Sequence, residues 1–259
     1  MFDLDQIKSY FPWELQQVDF MLKEYLQYKI LSYVYLSPFA SWLVFLWWTA
    51  LRIAYQSQRF SEDLDFDNFG LAFDDFEKLW WYIQQKLQYE WLEVEIRCIE
   101  KWAFHCHIKI PELLHRYQLA PMKTQKILIQ IDTASQWYTY TPTPMQISKF
   151  DTQALINVCS PELILSMKLY TVFERKRMKW RDFFDIVFLL GRTKKPDWWF
   201  LELKLWITTP HDLKSWLLEK CAGLDFAALQ ADVQPFLFQP QNQSVKNFVQ
   251  FVEMMEFEE

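Results

Sequence analysis

The sequence predicts a mixed α/β region to about residue 150 followed by a mainly helical region from 151 to 259. Three patterns carry this. Leu15, Val18, Met21, Leu22, Tyr25 and Leu26 recur at helical spacing. Ile127, Ile129 and Ile131 alternate as in a strand with one buried face. Beyond Ser160-Pro161-Glu162, a helix start with Ser as cap, Pro at the first position and acid in the first turn, only helical patterns follow.

Taken in order, residues 1–35 read as one or two helices ending before Ser37-Pro38. Residues 42–46 read as a buried strand and 49–55 as a short helix. Asp63 to Asp67 alternates acid with apolar residues, which is strand periodicity. Residues 74–89 read as a helix. Leu92 to Ile96 and Ala103 to Ile110 read as strands that could form a hairpin, and Lys126 to Asp132 as a further strand. Thr139 to Pro144 reads as a loop. Helices are expected over 161–178, over 181–191 with Gly191 as its stop, and over 211–234. The last twenty residues are polar, then acidic, and need not be ordered.

Composition narrows the class. Hydrophobic residues are 51% and charged residues 23%, ordinary for a soluble globular chain. The most apolar segment, Tyr33 to Ala50, is interrupted by Ser37, Pro38 and Ser41 and runs into Arg52, so no membrane span is expected. The N-terminus reads Met1-Phe2-Asp3-Leu4-Asp5, with acid where a signal peptide carries base, so a cytoplasmic protein is expected. Cys98, Cys106, Cys159 and Cys221 form neither a CxxC pair nor a disulfide framework. His105-Cys106-His107 is an ordinary strand or a metal site, without a second ligand cluster at finger spacing. The net charge of -6 argues against a nucleic-acid binder, but Lys168, Arg175, Lys176, Arg177, Lys179 and Arg181 face one acid, Glu174, in the same run. That run is a nucleic-acid footprint or a solvated helix end.

Ser61-Glu62-Asp63-Leu64-Asp65-Phe66 carries the chemistry. On a strand, Asp63 and Asp65 stand on one face, where they repel unless a cation lies between them. Mg²⁺ held by carboxylates and substrate phosphates is the usual answer, and a solvated strand is the alternative. Upstream, Trp47-Trp48-Thr49-Ala50-Leu51-Arg52 sits at an apparent strand-to-helix turn, and Arg59 opens the segment that leads into the acidic pair. A turn that opens a helix and receives phosphates on its amides, followed by a strand bearing two acids, suits a nucleoside triphosphate.

With these residues the sequence closely resembles the AbiEii/AbiGii toxin family of nucleotidyltransferases. The matching motifs are Thr49-Ala50-Leu51-Arg52, Arg59-Phe60-Ser61-Glu62-Asp63-Leu64-Asp65, the strand ending at Asp132, Lys168-Leu169, and Arg181-Asp182-Phe183-Phe184-Asp185. The resemblance spans roughly residues 40–240. It implies an α+β nucleotidyltransferase fold, a mixed sheet with flanking helices in residues 1–150, with the helical region 151–259 completing the active site. It implies Asp63, Asp65 and Asp132 as ligands of Mg²⁺, and a catalytic set of these three with Lys168 and Asp182. Trp47, Trp48, Thr49, Arg52, Arg59, Ser61 and Arg181 would surround the NTP. The implied reaction moves an NMP from an NTP to an acceptor hydroxyl, with the tRNA 3′ end as one acceptor and a cognate antitoxin protein as partner.

The sequence departs from the family at the turn, where the family has glycine and this chain has Trp47 and Trp48. Glycine lets backbone approach phosphate, whereas two indoles crowd it. Tryptophan also stands at glycine-like positions at Trp91, Trp102, Trp137, Trp180 and Trp206. The chain holds 3 Gly and 14 Trp, where average usage would give roughly 18 glycines. UGA codons read as glycine in the source and as tryptophan under another code account for the pattern. If the tryptophans are literal, the competing expectation is a non-catalytic interaction protein of the same fold. A metal-binding structural protein built on His105, Cys106 and His107 is a third.

Overall fold

The computed structural model describes residues 3–258; Met1 and Phe2 of the acidic N-terminal segment, and Glu259 of the acidic tail, lie outside the described residues. The chain divides into two compact units, Met1–Val158 and Cys159–Glu259. No described helix is long and apolar enough to cross a membrane.

The first unit is built on a seven-stranded sheet. Its helices are α1 (Leu4–Lys8), α2 (Val18–Leu36), α3 (Trp47–Ile53), α4 (Phe73–Tyr89) and α5 (Leu113–Arg116). Its strands are β1 (Leu43–Leu46), β2 (Leu64–Asn68), β3 (Glu95–Glu100), β4 (Phe104–Ile110), β5 (Ile127–Ala134), β6 (Thr143–Lys149) and β7 (Thr152–Val158). They lie in the order β3-β4-β5-β2-β1-β7-β6. The β2–β5 and β1–β7 pairs are parallel, and the other pairs are antiparallel. The sheet is therefore mixed and flanked by helices, an α+β arrangement.

Local sequence explains the placement. All four residues of β1 are buried, as a central strand with both faces covered requires. Ile127, Ile129 and Ile131 of β5 are buried while the residues between them are exposed or half-buried, so the alternation read from the sequence is the alternation in the sheet. Helix α2 is buried on most sides, and it carries Glu24 and Gln27 into the interior with its apolar residues.

The expected strand at Leu92–Ile96 begins later, at Glu95. Trp91 N–H donates to the Gln88 carbonyl and Leu92 N–H to the Leu87 carbonyl, so those residues close the end of α4. The expected loop at Thr139–Pro144 ends in a strand: Thr143 and Pro144 begin β6, which forms a hairpin with β7. Proline is tolerated there because β6 is the edge of the sheet. The turn between them, Phe150-Asp151, carries no Asn-Gly signal. It is held by the Phe150 ring against Tyr10, Phe11, Tyr25 and Tyr28, and Phe150 takes a left-handed φ of 57°.

The second unit is helical: α6 (Pro161–Glu174), α7 (Trp180–Leu190), α8 (Trp198–Leu205), α9 (Pro210–Cys221), α10 (Phe226–Val233) and α11 (Phe248–Met254). Ser160 caps α6 through the Leu163 N–H, as its sequence predicts. Helix α8, absent from the sequence reading, starts at an Asp197 cap that accepts from the Phe200 N–H. The single helix expected over 211–234 is two helices, broken where Gly223 takes a φ of 81° and Asp225 caps α10. The tail that needed no order forms α11, with Phe248 and Val252 buried.

Candidate active site

The strand-to-helix turn and the acidic strand belong to one clamped assembly in the first unit. The Thr49 hydroxyl of α3 lies 2.7 Å from the Ser61 hydroxyl and bonds the Asp63 carbonyl. From α2, Gln27 donates to the Ser61 and Glu62 carbonyls at 3.1 and 2.9 Å, and Lys23 reaches Glu62 at 3.0 Å. Five contacts thus fix the segment that delivers Asp63 to the start of β2. Asp63 itself precedes the strand, which begins at Leu64.

The register then lines up the chemistry. Leu46 faces Asp65, Asp65 faces Asp132, and Asp132 faces His105, in one row across β1, β2, β5 and β4. Residues directly opposite one another across a sheet share a face. Leu46 is the last residue of β1, and Trp47 after it opens α3. The turn and two carboxylates therefore meet at one place on the sheet. Asp132 is half-buried inside β5 rather than starting a turn, and its Oδ1 lies 2.7 Å from Nδ1 of His105. Gln130 Nε2 donates to both Asp132 oxygens, at 3.3 and 3.1 Å.

Asp67, two residues beyond Asp65, is buried and engaged. It accepts from the Gln136 N–H at 2.9 Å and from the Tyr140 hydroxyl at 3.0 Å. Burial pushes its carboxyl above the ordinary range despite these donors. It lines an open cavity of about 460 Å³ with Asn68, Gly70, Trp137 and Tyr138, beyond the strand end opposite the turn.

Arg52, Arg59 and Ser61 sit inside the framework. The Arg52 guanidinium binds Glu24 at 2.8 and 3.0 Å and the Ser57 carbonyl at 2.7 Å. Lys149 joins the same carboxylate at 2.8 Å. Burial pushes Glu24 up, but Arg52 and Lys149 together outweigh it and hold the carboxyl below its ordinary value. Arg59 is buried, donates to the Phe60 carbonyl and lies over the Trp48 ring. Trp47 and Trp48 are half-buried at the turn, and Trp47 takes a φ of 61°.

Lys168, Asp182 and Arg181 belong to the second unit. Lys168 is fully buried, 2.8 Å from Asp185 and 3.4 Å from Asp182, and Arg175 also bonds Asp182. The cap of α7 is Lys179, so Asp182 lies in the first turn and its side chain turns to Lys168 and Arg175. Arg181 is half-buried at the start of α7. Of the basic run, Lys176, Arg177 and Lys179 are exposed. Lys179 is held below the ordinary lysine range by partial burial and by Arg181, Arg175 and Arg177.

Among the described residues no three His, Cys, Asp or Glu side chains are grouped so as to hold a metal ion. The donor chemistry of Asp63, Asp65 and Asp132 nevertheless fits a hard cation: all donors are carboxylate oxygens, and two are in register on neighbouring strands. His105-Cys106-His107 gives no zinc cluster, because Cys106 is buried on the other face of β4, opposite Cys98. The sequence offers His105 as part of an ordinary strand or as a metal ligand; the strand is what forms, and the contact with Asp132 is not visible in either reading. Only strand register brings those two together.

A family model described as nucleotidyl transferase AbiEii toxin, type IV toxin–antitoxin system, matches residues 49–205. No curated protein matches the chain. Solved structures that share its fold include the following two. MenT4, a nucleotidyltransferase toxin of Mycobacterium tuberculosis H37Rv, is 12% identical with a TM-score of 0.62, over 99% of this chain and 91% of that one. JHP933 of Helicobacter pylori is 18% identical with a TM-score of 0.60, over 93% of each chain.

Proposed function

Because the chain belongs to the AbiEii family of nucleotidyl transferase toxins, we propose that it moves an NMP from an NTP to an acceptor hydroxyl with a divalent metal. The observation that carries this reading is the row Leu46–Asp65–Asp132, which sets two carboxylates beside the strand-to-helix turn. Asp63, Asp65 and Asp132 would hold Mg²⁺, which when bound neutralises phosphate oxygens and orients the pyrophosphate leaving group. The Thr49–Ser61 contact keeps α3 and the acidic segment at a fixed spacing. Asp132 would also help activate the attacking hydroxyl. Partners in this reading are the NTP, a cognate antitoxin and, as acceptor, the tRNA 3′ end, in the cytoplasm. The exposed cations Lys176, Arg177 and Lys179 suit an RNA backbone.

One observation favours a second reading. The Trp47 and Trp48 indoles occupy the turn where phosphate would approach backbone amides. A chain with those residues fits a non-catalytic interaction protein of the same fold.

The test uses the chain as written and a Trp47→Gly/Trp48→Gly form, each with Mg²⁺, each labelled NTP in turn and total tRNA, beside Asp63→Ala controls. Transfer by either form, lost in its control, supports the enzyme and names its nucleotide. Transfer by the glycine form alone locates the obstruction at the turn. No transfer from any NTP by either form removes tRNA as the acceptor and favours another acceptor or the interaction protein.

A further inference from the structure

We propose that His105 is a positioning residue for Asp132. The proposal rests on the reading of Asp132 as a metal ligand. His105 and Asp132 are directly opposite across β4 and β5, and the ring nitrogen Nδ1 lies 2.7 Å from Oδ1. A carboxylate only accepts, so Nδ1 carries the hydrogen. The ring is largely buried, and the edge of Trp102 packs on it at 5.8 Å. His105 therefore fixes one oxygen of Asp132 from a rigid strand, while Gln130 steadies both from the same strand as the acid. A ligating carboxylate held by a second hydrogen bond keeps the orientation its metal needs, and loss of such a partner costs roughly 10–100-fold in metal affinity.

The test is Mn²⁺ binding to the full chain, read from the spectrum of free Mn²⁺, with no substrate present. Asp65→Asn establishes that the bound ion sits at the acidic row. His105→Ala is expected to weaken Mn²⁺ by roughly 10–100-fold. His105→Asn, whose amide nitrogen stands near the place of Nδ1, is expected to recover most of the loss. His105→Gln, which reaches farther, is not. Unchanged melting of the variants separates positioning from folding. Equal Mn²⁺ affinity in His105→Ala and the parent overturns the proposal. A parent that binds no Mn²⁺, or an Asp65→Asn form that binds it undiminished, overturns the metal reading and the proposal with it.

A separate observation carries a second inference. Trp47, Trp91, Trp137 and Trp206 take φ values of 61°, 65°, 54° and 59°. Four of the 14 tryptophans are left-handed, against four described residues of all the other non-glycine types together: Gln56, Glu112, Gln118 and Phe150. Bulky residues are rare in that region. Two of the four close helices in the manner of glycine. Trp91 follows α4 with the paired bonds Trp91 N–H to Gln88 and Leu92 N–H to Leu87, and Trp206 ends α8 with its N–H on the Glu202 carbonyl. Trp91, Trp137 and Trp206 also leave more than four fifths of their surface in water. Trp48, Trp102 and Trp180 do not share this backbone.

The geometry assigns positions 47, 91, 137 and 206 to glycine in the functional polypeptide. The coding DNA is expected to carry at all four a codon that the source organism reads as glycine and another code reads as tryptophan, namely UGA. UGG at these positions overturns the inference. Melting provides a second check. Trp91→Gly and Trp206→Gly are each expected to melt roughly 2–4 °C above Trp91→Ala and Trp206→Ala, because alanine is strained at this φ. Equal melting of the glycine and alanine forms overturns the assignment at that turn.

Discussion

Both units contain clustered aspartates, and the two clusters are built differently. In the sheet, Asp132 is half-exposed and held by His105 and Gln130, and Asp65 beside it is half-buried. In the helical unit, Asp182 and Asp185 are buried around a fully buried Lys168. The first cluster keeps solvent contact through which an ion can enter. The second neutralises itself, and its charges hold α6 to α7. Residue type alone does not distinguish them; burial and the presence of a cation do.

Removing that cation gives the largest effect. Lys168→Met leaves Asp185 buried without its nearest partner and is expected to cost about 3–5 kcal/mol in urea unfolding. An unchanged midpoint would mean that the knot holds nothing together. Asp65→Asn is the converse. It should cut nucleotide transfer more than roughly 100-fold while moving stability by less than about 0.5 kcal/mol. A comparable loss of stability would put Asp65 in the same class as Asp185.

Glu24 refines the contrast, since the first unit has a buried ionic knot of its own. Its carboxyl sits below the ordinary 4.5, so its contribution is complete above that value and is lost as pH falls through the lower folded-state value. Glu24→Gln should flatten the acid limb of a pH–stability profile, and an unaltered limb would show that Arg52 and Lys149 do not depend on it. The smallest effect belongs to Asp67. Its raised pKa means that stability improves as pH falls toward the ordinary carboxylate range. Asp67→Asn should remove that trend while changing stability at neutral pH by less than about 1 kcal/mol. A trend that survives the substitution would assign it elsewhere.

The strands that build the acidic row were legible because one face is apolar: Ile127, Ile129 and Ile131 announce β5, and the alternation after Asp63 announces β2. The hairpin of β6 and β7 was not, because an edge strand has little to bury and its turn is held by a distant aromatic cluster. Motif spacing brought Asp63, Asp65 and Asp132 to notice. It could not show that Lys168 is fully buried, since a lysine beside a leucine on an apolar helix reads the same whether it snorkels or pairs. The contact of His105 with Asp132 depends on register, which no local pattern encodes. The irregular glycine count was visible in composition, and the backbone gave it an address.

The turn after β1 reaches beyond the fold. With UGA at position 47, a host that reads UGA as stop would end translation at Leu46 or earlier. The fragment would contain at most α1, α2 and β1, and none of Asp63, Asp65 and Asp132. A gene spelled in this way yields no full-length product in a recipient that reads UGA as stop, so the same residue that shapes the turn confines the intact protein to lineages that read the codon through.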